Sequence, residues 1–560
     1  MSVAMIRTLK GAFERARAER WAERLFDRDT SLWSDDPRVQ AAIAERLGWL
    51  DAPAHFGGQV PALEGFGEGI RDAGFRTAVV MGMGGSSLAP EVLHRTLGTV
   101  DGWLDLRILD STDPLAVART VDDLDSPSTL WIVASKSGTT TEPLAFLADA
   151  WARLEATLEL RGSSQRPGDF MVAITDPGKS EAAIPHHDDL REVFLNPPDI
   201  GGRYSALSYV GLVPASLIGI DLDALIASAA TMLARCSDPE PEANPGVSLG
   251  LAIGTLAATG RDKLTFVADP GLASFGSWVE QLIAESTGKR GMGIVPVDGE
   301  PLGDVEAYGP DRVFVRLRLA GTNPHPGDMT VDALEAAGHP VIRIELEDPI
   351  EIGGEFIRWE VATAIAGAVL GIDPFDQPNV EEAKERTRRL LTAVSAREAG
   401  TGDAETASAV PLRFDDVDLA VALRAHLGRR SERAYLALQA FVAPDPAVDA
   451  ALARIRRRLR DATRCATTAG YGPRFLHSTG QLHKGGPPIG WFLQLTSEHI
   501  HERGIPGWPY TFGQLIDAQA QGDYEAIADH GLPILRLDLG PDAESGLERL
   551  ERALERALTT

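Results

Sequence analysis

The sequence predicts an α/β protein. It should hold parallel sheets covered by helices in more than one domain, with a helical lead-in and a smaller α/β segment at the C-terminal end. Three observations carry this. Short apolar runs alternate with helix-periodic stretches along most of the chain. Two of those runs end in a glycine- or hydroxyl-rich loop that opens a helix. At 560 residues, 44% of them hydrophobic, the chain can build more than one core. The expected division is 1–70 for the lead-in, 71–238 and 245–395 for two α/β domains, and 396–560 for the C-terminal segment.

Composition narrows the function. Lys and Arg total 54 against 81 Asp and Glu, a formal net charge of −27. Such a surface repels nucleic acid and anionic membrane. It also repels a phosphorylated substrate at long range, so a phosphate site must work locally, through loop amides and placed cations. Two cysteines, Cys236 and Cys465, make no disulfide framework and point to a cytoplasmic, reducing setting. No early apolar run is long enough for a signal peptide or a membrane span.

In chain order, the lead-in is charged and helix-periodic, and it reaches a glycine-rich linker at Gly57-Gly58. Residues 77–81 read as a strand running into Gly82-Met83-Gly84-Gly85-Ser86-Ser87, with a helix over 88–97. A dinucleotide fingerprint fits poorly here, because Ser87 stands where its third glycine belongs. Residues 106–109 read as the next strand, and 129–134 as a buried one. The latter feeds Ser135-Lys136-Ser137-Gly138-Thr139-Thr140-Thr141, five hydroxyls in seven residues, before Glu142 and Pro143. Free amides and the helix dipole at such a junction favour an anion, and the hydroxyls add neutral donors. The stretch reads as a seat for a phosphate monoester, with an ordinary capping turn as the alternative. A strand over 170–174 follows.

Gly201-Gly202-Arg203-Tyr204-Ser205 presents an Arg on a Pro/Gly turn, either aimed into the sheet-end cleft or exposed as a cap. An acidic, Pro-rich boundary at 238–245 precedes strands at 264–268, 313–317 and 341–344. Glu285 stands where helix 278–284 gives way to Ser286-Thr287-Gly288-Lys289; it is a rigidly placed carboxylate or, by default, a solvated one. Gln377 lies in the turn 371–380, and Lys384 falls one helical turn beyond it, pointing back towards the turn or pairing with Glu381. Residues 391–430 read as linker and polar helix, and 454–464 as a basic helix with a solvated or salt-bridged face. His477 and His483 lie in a glycine-rich stretch and suggest acid–base work. Strands at 491–495 and 533–537 complete the third piece. A metal site is not expected: His499 and His501 beside Glu498 and Glu502 lack a matching Cys/His set. Ala173 stands where a Walker loop at 173–180 needs its first glycine.

Six stretches together resemble one family, the glucose-6-phosphate isomerases: GMGGSSLAP at 82–90, SKSGTT at 135–140, GGRYS at 201–205, ESTGK at 285–289, PFDQPNVEEAK at 374–384 and LHSTGQ at 476–481. The chain is most similar to the isomerase half of transaldolase–isomerase fusion proteins, with no transaldolase part ahead of the lead-in. The resemblance implies two SIS-type (flavodoxin-like) sandwich domains and cofactor-free aldose–ketose isomerisation of a hexose phosphate. It implies phosphate held by Ser135, Ser137 and Thr140 with Lys136 and Thr139 nearby, and the sugar lined by Gly85, Ser86 and Gln377. Glu285 would be the base, Arg203 the cation beside a cis-enediolate, and Lys384 and His477 the groups that open the ring. It also raises a homodimer and a functional link to transaldolase. In the usual family order the His motif precedes the Gln-to-Lys motif; here His477 follows Lys384 by 93 positions. That leaves open whether His477 acts within one chain or across a dimer, and lets His483 compete with it. A sugar-phosphate sensor without catalysis would need neither Glu285 nor Lys384. A dehydrogenase would need to bind a nicotinamide. A dual phosphoglucose/phosphomannose isomerase would use the same residues.

Overall fold

A computed structural model describes residues 3–322, 326–398, 412–413 and 419–559. Its first sheet contains β1 (Thr77–Gly82), β2 (Asp105–Leu109), β3 (Thr129–Ala134), β4 (Met171–Thr175) and β5 (Glu192–Leu195). All are parallel, in the order β2-β1-β3-β4-β5. β3 and β4 are buried along their whole length, as helices on both faces require of a central parallel strand. β1 pairs with β3 in a register that sets Gly82 beside Ala134. The glycine loop and the hydroxyl loop therefore leave the sheet side by side, where the strand order reverses. Open α/β sheets bind ligands there.

The second sheet is also parallel, with β6 (Lys263–Ala268), β7 (Val295–Val297), β8 (Arg312–Leu319) and β9 (Val341–Leu346) in the order β7-β6-β8-β9. The C-terminal segment has its own parallel sheet: β10 (Leu412–Arg413), β11 (Tyr435–Phe441), β12 (Ala466–Tyr471), β13 (Gly490–Thr496) and β14 (Ile534–Asp538), ordered β10-β14-β13-β11-β12. The α/β class with a helical start is thus observed. Strands β5, β7, β10, β11 and β12 escape the sequence reading. β5, β7 and β10 are short, β11 is rich in Ala and Leu, and β12 carries two Ala and a Gly, residues whose place in a strand is decided by burial.

The lead-in is built into the body. Gly57-Gly58 joins two helices, Ala52–Gly57 and Val60–Asp72, instead of ending the lead-in. Trp33 Nε1 donates to Ala364 O at 2.8 Å, and the Trp49 ring stacks on Tyr204 at 5.3 Å. One apolar core runs through the lead-in and the first two sheets, and the third sheet carries a core of its own.

The basic helix, Pro446–Thr463, departs from expectation in part. Arg454 and Arg458 do pair with Glu551 at the surface. Arg456 and Arg460 are buried instead: Arg456 Nη2 donates to Asp298 O and Thr467 O, each at 2.7 Å, and Arg460 Nη1 donates to Pro301 O. Backbone carbonyls of the second unit need donors where the third unit covers them, and Arg supplies several from one side chain. The linker read over 391–430 lies partly outside the described residues; within them, helices Val380–Glu398 and Leu419–Leu427 flank it. Among the described residues no helix is long and apolar enough to cross a membrane.

Candidate active site

A cleft of about 530 Å³ opens at the carboxyl ends of β1 and β3. It is lined by Gly85, Ser86, Ser135, Lys136, Ser137, Thr139, Thr140, Arg203, Glu285, Gln377, Lys384 and His477, so the side chains singled out above meet in one place. Arg46, Lys136, Arg203, Lys384 and Arg388 line it against Glu142, Asp176 and Glu285. This local excess of cations suits an anion on a molecule whose net charge is −27.

The floor depends on glycine. Gly84 has φ +55, and a Cβ there would sit 2.7 Å from Gln281 Nε2 and 2.8 Å from His477 O. Only a residue without a side chain lets three segments converge at that point. In the neighbouring loop Ser135 Oγ donates to Thr140 Oγ1 at 3.0 Å, and Ser137 Oγ lies 3.0 Å from Thr139 Oγ1. Thr140 stands at the N-cap position of helix Thr141–Leu160 without a side-chain capping bond. Lys136 Nζ donates to Asp176 Oδ2 at 2.5 Å and to Pro198 O at 2.9 Å, so its charge is partly matched within the protein.

Arg203 is buried, not an exposed cap. Its Nε donates to Ser286 Oγ at 2.8 Å, its Nη1 to Gln377 Oε1 at 2.7 Å, and its Nη2 to Pro374 O at 2.7 Å and Asp376 O at 3.1 Å. Its Nη1 also lies 3.2 Å from Glu285 Oε1. Glu285 is buried too, contrary to the default of a solvated carboxylate, because helix Phe275–Thr287 runs past it and is buried over most of its length. Its second oxygen accepts from Gln281 Nε2 at 3.1 Å. Lys289 Nζ pairs with Asp376 Oδ1 and donates to Asp373 O, each at 2.6 Å. Burial and then the charge of Arg203 push Lys289 down to about 8. These contacts pin the turn that presents Gln377.

Lys384 is half-buried on helix Val380–Glu398 and lines the cleft. His477 ends the single turn Arg474–His477 of the C-terminal segment and reaches the cleft of its own chain. Glu142 Oε1 accepts from His477 Nε2 at 3.0 Å. A carboxylate can only accept, so Nε2 carries a proton and donates it to Glu142. Burial works to raise Glu142, but the charge and hydrogen bond of His477 outweigh it and hold the carboxyl below its ordinary range. Arg474, in the same turn, pairs with Glu91 and lies 3.3 Å from Asp110, anchoring the turn to the first sheet. His483 does not line the cleft: it is buried beside Gln439 and the rings of Tyr435 and Phe492, and burial pushes it well below its ordinary value. His499 pairs with Asp517 at 3.1 Å, away from the cleft.

Several side chains of the site were not singled out from sequence: Arg46, Asp176 and Arg388 line the cleft, and Gln281, Glu142, Ser286 and Gln519 hold its charged groups. Gln281 stands one turn before Glu285, and that spacing could have found it. Glu142 follows the hydroxyl loop, where an acid in a first turn already has the helix dipole as its explanation. Ser286 lies within ESTGK. Gln519, from helix Phe512–Asp529, carries no local signal at all.

Residues 34–298 match the family model described as phosphoglucose isomerase. A glucose-6-phosphate isomerase of Rubrobacter xylanophilus is 30% identical over 410 residues, covering 63% of this chain and 91% of that protein. One of Symbiobacterium thermophilum is 31% identical, covering 61% and 86% respectively. Among solved structures, a hypothetical protein of Thermus thermophilus superposes with TM-score 0.56 at 25% identity, over 70% of this chain and 99% of that one. A glucose-6-phosphate isomerase of Chlamydia trachomatis superposes with TM-score 0.53 at 20% identity, over 70% and 87%.

Proposed function

Because this chain belongs to the phosphoglucose isomerase family, we propose that its cleft interconverts glucose 6-phosphate and fructose 6-phosphate by proton transfer through a cis-enediolate, with Glu285 as the base. The observation that carries this reading is the buried Arg203–Glu285 pair, 3.2 Å apart, in a cleft that also holds the hydroxyl loop.

Ser135, Ser137 and Thr140 hold the phosphate, with Lys136 and Thr139 beside them, and Gly85, Ser86 and Gln377 line the sugar. His477 and Lys384 open the ring: the O1 proton is withdrawn and O5 is protonated as the C1–O5 bond breaks. Glu285 then takes the proton from C2. The electron pair left behind forms the C1–C2 double bond and charges O1, and the buried Arg203 guanidinium stabilises that oxyanion. The proton on O2 is lost as O1 gains one, and Glu285 returns its own proton to C1. An α-hydroxy-carbonyl C–H is a weak acid, so the base must be held rigidly at hydrogen-bond reach. Gln281 and Arg203 supply that restraint.

The loop, the base and His477 come from a single chain, which favours a site assembled within one copy. A homodimer and a link to transaldolase rest on the sequence resemblance. The test is a coupled assay for fructose 6-phosphate from glucose 6-phosphate, and in parallel from mannose 6-phosphate. Formation from the first sugar alone supports single specificity, and formation from both supports dual specificity. No product from either, in a protein that still binds sugar phosphate, would leave the sensor reading.

A further inference from the structure

Gln519 lies on helix Phe512–Asp529 of the C-terminal segment, 377 positions from Glu142 along the chain. Its Nε2 donates to Glu142 Oε1 at 2.6 Å. Its Oε1 accepts from Thr112 Oγ1 at 2.7 Å. Gln519 is 3% exposed and Thr112 is fully buried. The orientation of this amide is fixed at both ends. Glu142 can only accept, so the NH₂ faces it; the amide oxygen then faces Thr112, whose hydroxyl must donate. Glu142 Oε1 therefore receives two donors, Gln519 Nε2 and His477 Nε2. The titratable groups that face Glu142 are His477, Lys384 and Tyr510.

Two glutamines thus serve two different acids. Gln281 restrains Glu285, and Gln519 restrains Glu142, which in turn holds His477. We propose that Gln519, oriented by Thr112, is a positioning residue for His477: it keeps Glu142 Oε1 aimed at His477 Nε2 and so governs opening of the sugar ring. This rests on the assignment of ring opening to His477 made above. A buried carboxylate with one donor can rotate about its last torsion, and a second donor on the same oxygen removes that freedom. With the carboxylate fixed, the imidazole keeps Nε2 directed at Glu142 and the ring keeps its orientation, Nδ1 pointing away from that pair.

Ring opening and reclosure interconvert the α and β anomers without any C–H transfer, so anomerisation reads His477 apart from Glu285. The experiment measures anomer exchange of glucose 6-phosphate by NMR in the full-length protein, with substrate affinity measured alongside. Gln519→Met keeps the bulk of the side chain and removes the N–H. It should slow anomerisation by about 10- to 100-fold, as loss of a hydrogen bond to a charged group implies, with substrate affinity little changed. Thr112→Val should act in the same direction more weakly, and Thr112→Ser should restore most of the rate. If Gln519→Met fails to fold, Thr112→Val carries the test. The proposal is overturned if folded Gln519→Met and Thr112→Val proteins anomerise at the wild-type rate while His477→Ala does not. Wild-type anomerisation by His477→Ala would instead overturn the ring-opening assignment on which the proposal rests.

Discussion

Arg203 Nη1 lies 3.2 Å from Glu285 Oε1, and both side chains are buried. The guanidinium is also held by Ser286 Oγ, Gln377 Oε1 and two carbonyls, so its charge is fixed in place before any ligand arrives. An arrangement of this kind needs no reorganisation as charge develops.

Glu285→Gln should lower kcat by about 10²–10⁴-fold, the usual contribution of a positioned base. The amide is nearly isosteric, so affinity for a sugar-phosphate inhibitor should stay close to wild type. Steady-state kinetics with inhibitor binding by calorimetry separate the two. Parallel loss of binding and turnover would count against Glu285 as the base.

Arg203→Lys should be a severe substitution despite the retained charge. A lysine cannot reproduce the guanidinium's contacts to Ser286, Gln377, Pro374 and Asp376. Leaving buried groups unpaired costs about 1–3 kcal/mol each. A lower urea midpoint together with a fall in kcat of about 10²-fold or more, the scale of losing an oxyanion donor, is the expected result.

Thr140→Val and Ser137→Ala should each raise KM about 2- to 10-fold, as loss of one neutral hydrogen bond implies, with a smaller effect on kcat. Inorganic phosphate, as a competitive inhibitor, should weaken in step. A change in kcat alone would place these hydroxyls elsewhere than on the phosphate.

Mixing Glu285→Gln with His477→Ala protein should recover no activity. Glu285 and His477 line the same cleft of one chain, so neither variant can complete the other. Activity regained after co-refolding would show that the histidine is supplied by a second copy.

Glu280 lies on the same helix as Glu285, and burial together with the nearby Asp298 pushes it up to about 8 from an ordinary 4.5. Between those two values the folded protein binds more protons at Glu280 than the unfolded chain does, so stability falls as pH rises through that window. Glu280→Gln should flatten that decline. Urea midpoints at pH 5 and pH 8.5 should differ less in the variant than in the parent, and an unchanged difference would refute the assignment.

Much of the site was legible because it is local. A buried strand, a loop of hydroxyls or glycines, and a helix start all fall within about twenty consecutive residues, and their chemistry follows from order alone. Arg203 and Glu285 were located but not their burial, since exposure by default is the sound expectation for isolated charges. His477 stands ahead of His483 by its LHSTGQ match and not by spacing; packing sets one against Glu142 in the cleft and the other among Gln439 and aromatic rings.

The sequence by itself determined the α/β class and the glycine-rich and hydroxyl-rich loops that leave two of its strands. Each of these is written in short-range periodicity and in motifs of a few residues. Tertiary structure alone decided that Gln519, 377 positions away, touches Glu142, that the C-terminal segment delivers His477 into its own chain's cleft, and that Arg456 turns inward to satisfy carbonyls. Such partners meet because layers pack face to face, and packing joins residues whose separation along the chain carries no pattern.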